Sequence, residues 1–261
     1  MKAVQKAIIY KDIKEIISNK QTLVPMIVVP LIIMVVLPAG LMVAAAYGEG
    51  TLNGMDEIIK IIKDTFIYEN ESQLIVELAV NYMFPNLFLL IPIMASSIIA
   101  ASSFVGEKER KTMESLLYTP MSIKQLFTAK VIGTAIPAYI ISLMCFVVFG
   151  IIVNIGGWFY FGRLIFPNLK WIILVLWVTP AVTILAIAIM VIVSAKAETF
   201  QDAQQMSGFI VVPVILLFVG QVSGLFMLNT LILLAAGAVL YVADYILIKV
   251  ASGKFMPEKL V

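Results

Sequence analysis

The chain is predicted to be an all-helical membrane protein with six spans, on three observations. It is 62% hydrophobic and only 13% charged over 261 residues, with a mean hydropathy of +1.05. A water-soluble domain of this size needs far more polar surface. Its apolar residues fall in runs of about 20 or more, enough to cross a hydrocarbon core of about 30 Å as helix. Its Lys and Arg residues alternate between the loops with a strong bias, which is the pattern of a chain threaded back and forth through a bilayer.

Taken in order, residues 2–20 come first. Ile9, Ile13, Ile16 and Ile17 recur at helical spacing, with Lys6, Lys11, Lys14, Glu15 and Lys20 mostly elsewhere around the axis. This predicts an amphipathic helix lying in the interface over residues 1–21. The first apolar run, 23–46, is too long for a signal segment and follows too many polar residues, so it is expected to remain as span one. The other spans are predicted at 82–105, 128–153, 170–194, 206–227 and 229–250. The last two are separated only near Leu228-Asn229-Thr230, which leaves two full helices or a hairpin that does not fully cross. Residues 55–67 repeat an amphipathic pattern, and Trp158 to Phe161 suit an aromatic belt ahead of span four. Prolines stand inside five of the spans (Pro25, Pro30, Pro38, Pro85, Pro92, Pro137, Pro180, Pro213) and predict kinks. Ser96/Ala100 and Ser97/Ala101 are pairs of small residues four apart, which let another helix approach closely.

Of the 18 Lys and Arg residues, only Lys60, Lys63, Arg163 and Lys170 fall on one side of this threading. The other side is therefore expected to be cytoplasmic, with both termini inside and a single membrane domain over 1–261.

Much chemistry is excluded. There is no histidine and one cysteine, Cys145, in an apolar run. No zinc site, disulfide or histidine-based catalytic centre follows from that inventory. No phosphate-binding loop is present, so any ATP that drives the protein binds another polypeptide. No catalytic residue, metal site or nucleic-acid surface is expected. Asp244 is the one clear ionisable residue inside a span, expected as an anchor salt-bridged to Lys249 or snorkelling beside it, with a proton relay as the alternative.

The charged island at 106–122 is the most distinctive segment. Gly106 is expected to break the membrane helix. Glu107 to Leu117 are good helix formers, with Glu107/Lys111 and Arg110/Glu114 as opposite charges four apart. Met113, Leu116 and Leu117 make an apolar stripe, Thr119-Pro120 ends the helix, and Ser122 with Gln125 forms a capping pattern at the start of span three. Physically this is either a stiff rod suited to transmit force or a charged loop that only sets topology.

The string Gly106-Glu107-Lys108-Glu109-Arg110-Lys111-Thr112-Met113-Glu114-Ser115-Leu116-Leu117, then Thr119-Pro120-Met121-Ser122 and Lys130, resembles the signature of type-2 ABC transporter permeases. Lys111 stands where that family usually has glycine, a departure expected to favour helix. The stretch Lys11-Asp12-Ile13-Lys14-Glu15-Ile16-Ile17 before a proline-rich first span is also similar. The resemblance implies a permease subunit of an ATP-driven exporter in the plasma membrane, in a prokaryotic setting. It implies a pair of permeases, identical or related, on a separate ABC ATPase that holds ATP and magnesium. Residues 1–21 become the connecting helix. Glu107, Arg110, Lys111, Met113, Glu114, Leu116 and Leu117 become the coupling helix on the ATPase, with Lys196, Glu198 and Asp202 as a second contact. Ser96, Ser97, Ala100 and Ala101 become packing residues of the dimer or pathway. Apolar span interiors point to a drug, peptide or lipid-like substrate. A sodium exporter and a partner-free channel or secondary transporter are the alternatives.

Overall fold

A computed structural model describes residues 3–47, 70–112, 122–222 and 229–254. Seven helices carry the described chain. α1 is Ala3–Ser18 and α2 is Lys20–Ala46. α3 is Glu71–Glu109, α4 is Ile123–Phe161 and α5 is Leu169–Ser194. α6 is Phe200–Val222 and α7 is Thr230–Lys254. α2 to α7 supply six stretches long and apolar enough to span a bilayer. The last two are separate full-length helices. The spanning part of α6 has 22 residues and that of α7 has 24, about 33 and 36 Å at 1.5 Å per residue.

α3 is the central post. Of its most apolar stretch 78% is buried, against 22% for α6 and 17% for α7. It packs on α2, α4, α5 and α6, while α7 leans on α5 and α1 lies against α4. The outer faces stay apolar: Ile136, Ile140, Met144, Val147, Ile151 and Ile155 form one exposed stripe along α4. In water such a stripe would be a liability; in lipid it costs nothing.

α3 begins eleven residues before the predicted start of span two, at Asn70, whose side chain accepts from the Gln73 amide. The helix runs on through Gly106 with φ −62°, so Gly106 is not the break expected of it. α4 begins as predicted, with Ser122 and Gln125 capping each other's backbone. It continues past residue 153 and takes in Trp158 to Phe161, which therefore form its last turn rather than a lead-in to span four. Gly162 ends it at φ +61°, a conformation that costs glycine little. The 55–67 helix expected from sequence lies outside the described residues.

Three stretches widen to π-helix: Ala79–Met83 and Ala101–Gly106 in α3, and Leu174–Val178 in α5. Pro85 and Pro180 follow two of them directly, and each removes an amide from the ladder. The carbonyls left over are taken by side chains. Trp171 Nε1 donates to Val80 O at 2.9 Å and Lys170 Nζ to Asn81 O at 3.0 Å. Thr179 Oγ1 donates to Leu174 O at 2.9 Å, and Tyr139 to Val175 O at 3.3 Å. In an apolar medium such partners are what make an irregular helix tolerable. A ring cluster of Phe84, Phe88, Phe146, Phe149, Phe166 and Trp171 ties α3, α4 and α5 together above this level.

Candidate functional site

At the end of the bundle that carries α1, three elements meet in a knot of charge. Glu107, on the last turn of α3, is 1% exposed. Lys130, on the second turn of α4, is fully buried and places its ammonium 2.5 Å from Glu107 Oε2. It also donates to Ser103 O at 2.7 Å and Ser103 Oγ at 3.2 Å. The Ser103 carbonyl belongs to the second π stretch, so one lysine serves both the widened helix and the buried acid. Lys11 of α1 donates to Glu107 Oε1 from the other side. Asp12 accepts from Ser103 Oγ at 3.4 Å and lies against Gly133, where an added Cβ would stand 3.4 Å away. Arg110 pairs with Glu15 at 2.5 Å and donates through Nε to Gly106 O at 3.0 Å.

Three cations (Lys11, Arg110, Lys130) thus meet three anions (Asp12, Glu15, Glu107). The acids bring oxygens within 4.8 Å of one another, but the chain's own ammonium and guanidinium groups already balance their charge. Burial pushes the Asp12 carboxyl above its usual 3.8, opposed by Lys130 and reinforced by Glu107. Burial also works against the Lys11 ammonium, yet the hydrogen bond and charge of Glu107 outweigh it and raise its pKa above 10.5.

This arrangement adds to the sequence reading of α1 and corrects that of the island. The face of α1 buried within the chain is Gln5, Ile8, Asp12 and Ile16, while Ile17 stays 62% exposed. Glu107 turns inward to Lys130 and Lys11 rather than to Lys111, and Arg110 pairs with Glu15; Glu114, the expected partner of Arg110, lies outside the described residues. The helix stops at Glu109, and Lys111 adopts φ +56°. That left-handed conformation suits the family's glycine better than lysine. Ser96, Ser97, Ala100 and Ala101 are all buried within the chain, on the stretch of α3 where its neighbouring helices pack.

Met113, Glu114, Leu116 and Leu117 lie outside the described residues. Lys196 and Glu198, in the link before α6, and Asp202, in its first turn, are exposed. Asp202 and Thr199 cap each other's amides at 3.1 Å, and Glu109 accepts from the Phe200 amide at 2.9 Å. The end of α3 is thereby joined to the start of α6. Asp244 makes no ion pair among the described residues; Lys249 instead lies 4.4 Å over the Tyr245 ring. Lys130 was visible as a lysine in an apolar run, but nothing in the spacing alone assigned it to Glu107.

Five membrane-length helices around a sixth, buried one, with a charged turn locked to an N-terminal helix, define a multi-pass membrane protein. A family model described as ABC-2 family transporter protein matches residues 6–246, nearly the whole chain, and the protein belongs to that family. It is a membrane permease of an ABC transporter, a multi-pass protein of the plasma membrane, and the family associates in general with an ABC ATPase subunit. No individual curated relative matches it.

Proposed function

We propose that this chain is the permease half of an ATP-driven exporter that moves an amphipathic or hydrophobic compound outward. A separate ABC ATPase holds the ATP and magnesium and carries the chemistry, and this chain contributes no catalytic residue. The observation that supports the reading best is the knot at Glu107. It fastens the turn that leaves the membrane to α1, α3 and α4 at once through buried ion pairs. Glu109 fastens the same turn to α6.

A push on residues 107–112 therefore reaches four helices through direct side-chain contacts. The coupling surface is the outward side of that turn: Lys111, Met113, Glu114, Leu116 and Leu117, with Lys196 and Glu198 as the second contact. Glu107 and Arg110 act behind it as positioning residues. Two permeases, identical or related, enclose the pathway.

The test is purification of the chain with its ATPase, followed by substrate-stimulated ATP hydrolysis in proteoliposomes. Glu114→Ala with Leu117→Ala is expected to abolish complex formation or stimulation while leaving the permease folded. Full coupling in that variant would sink the assignment. A chain that transports unaided in liposomes lacking nucleotide would instead favour a channel or secondary transporter.

A further inference from the structure

Asp244 lies in the interior of α7, 4% exposed, and neither of its carboxylate oxygens has a hydrogen-bond partner among the described residues. α5, which packs along α7, carries no ionisable side chain from Trp171 to Ser194. On α7 itself the nearby titratable groups are Tyr241, Tyr245 and Lys249, and Lys249 is held over the Tyr245 ring. Lys170, at the head of α5, is engaged with Asn81 O and the Tyr82 ring. A charged carboxylate buried in this way is costly unless a cation reaches it, and an acid inside a span is a functional position by default.

A second feature lies along the same helix. A cavity of about 370 Å³ opens between α3, α5, α6 and α7, with Leu185, Ile189, Phe209, Pro213, Ala236 and Leu240 among its walls. Its size falls within the range of small-molecule sites, and its walls are apolar. Leu233, Ala236, Leu240 and Asp244 follow one another at three- and four-residue steps, which places them on one face of α7. The acid therefore stands one turn beyond the last α7 wall residue.

We propose that the cavity and Asp244 together form a binding site for a lipophilic monocation, its apolar body in the cavity and its charged centre against the carboxylate. A bare inorganic cation is the poorer match, because it needs several oxygen ligands and the surrounding walls offer hydrocarbon. The proposal names a substrate class for the export reading and rests on that reading for its transport meaning; binding itself does not depend on it.

Tetraphenylphosphonium is the probe, measured by equilibrium dialysis against the full-length chain in detergent, without ATP or ATPase. Wild type is expected to bind it saturably, and Asp244→Asn to weaken binding by at least about tenfold. Asp244→Glu is expected to retain binding, and Ala236→Phe to weaken it by filling the cavity. Tetraphenylborate, the anion of the same shape, is expected to show no preference for wild type over Asp244→Asn. Asp244→Asn is expected to melt no lower than wild type, since it removes an unpaired charge. Equal phosphonium binding by wild type and Asp244→Asn overturns the proposal. So does displacement of the probe by sodium, or a lower melting point in Asp244→Asn with binding unchanged. Binding that is intact while the assembled complex shows no phosphonium-stimulated ATP hydrolysis counts against the export reading and leaves the site standing.

Discussion

Lys130 and Glu107 are the pair on which the charged end of the bundle depends, because neither has water to fall back on. Removing one partner of a buried pair leaves an uncompensated charge, at about 3–5 kcal/mol. Glu107→Leu leaves Lys130 hydrogen-bonded to only the two Ser103 oxygens, and is expected to lose that much stability. Adding Lys130→Met is expected to restore most of it, as thermal unfolding in detergent of the single and double variants would reveal. Two nearby groups give the knot a pH signature. Asp12 is raised above 3.8 chiefly by burial. The stability tied to its neutral form is complete below 3.8 and lost as pH rises through its raised pKa. Wild type should therefore gain on Asp12→Asn as the solution is acidified, read as the difference between their melting points. Lys11 has the same sign at the alkaline end of the scale: its contribution is complete below 10.5 and lost as pH rises through its raised pKa, as the ammonium that faces Glu107 gives up its proton. Residues of this kind were only half legible beforehand. Lysine and glutamate announce cost when they sit beside apolar runs, but their partners come from α1 and α4, and periodicity along one helix carries no information about which other helix lies opposite.

Helices were legible where hydrophobicity is continuous and illegible where polar residues are satisfied by tertiary contacts. The six spans follow from run length. The first turns of α3 do not, because Glu71, Gln73, Glu77 and Asn81 break the apolar run; Gln73 donates to Tyr160 O at 2.9 Å and Asn81 sits in the clamp with Asn168 and Lys170. Two of the three π stretches were flagged only by their prolines and the one at Ala101–Gly106 not at all, since most of the donors that serve them stand on other helices. The turn after α3 was misjudged because helix propensity favours Lys111 while the fold demands a left-handed residue. Lys111→Gly removes about 1–2 kcal/mol of left-handed strain and costs about 0.5–1 kcal/mol in backbone freedom. A net gain of about 0.5–1 kcal/mol is expected, visible as a higher melting point. Gly150 tests the opposite limit. An added Cβ there would stand 2.6 Å from a Phe166 ring carbon, inside the aromatic cluster that joins α3, α4 and α5. Gly150→Val is expected to cost about 1–3 kcal/mol by overpacking, with thermal unfolding again as the measure.

For the molecule as a whole, the arrangement gains its meaning from which end faces the cytoplasm, and charge is what argues for one side. Fourteen of the 18 Lys and Arg residues lie with α1, the 106–122 turn, the 195–199 link and the C-terminus. Only an inward position lets that end meet an ATPase. The bundle supplies sites to check it. Leu164, in the link between α4 and α5, is 67% exposed, and Lys196, in the link between α5 and α6, is exposed at the opposite end. Cys145 is the chain's one cysteine and is buried within α4, so Cys145→Ser gives a quiet background with little change in packing. In intact cells a membrane-impermeant maleimide is expected to label Leu164→Cys readily and Lys196→Cys only after the membrane is opened. The reverse pattern would turn the permease over. It would place the knot, the coupling turn and the exposed residues of the second contact outside, where no ATPase could reach them, and the export mechanism would fall with the orientation.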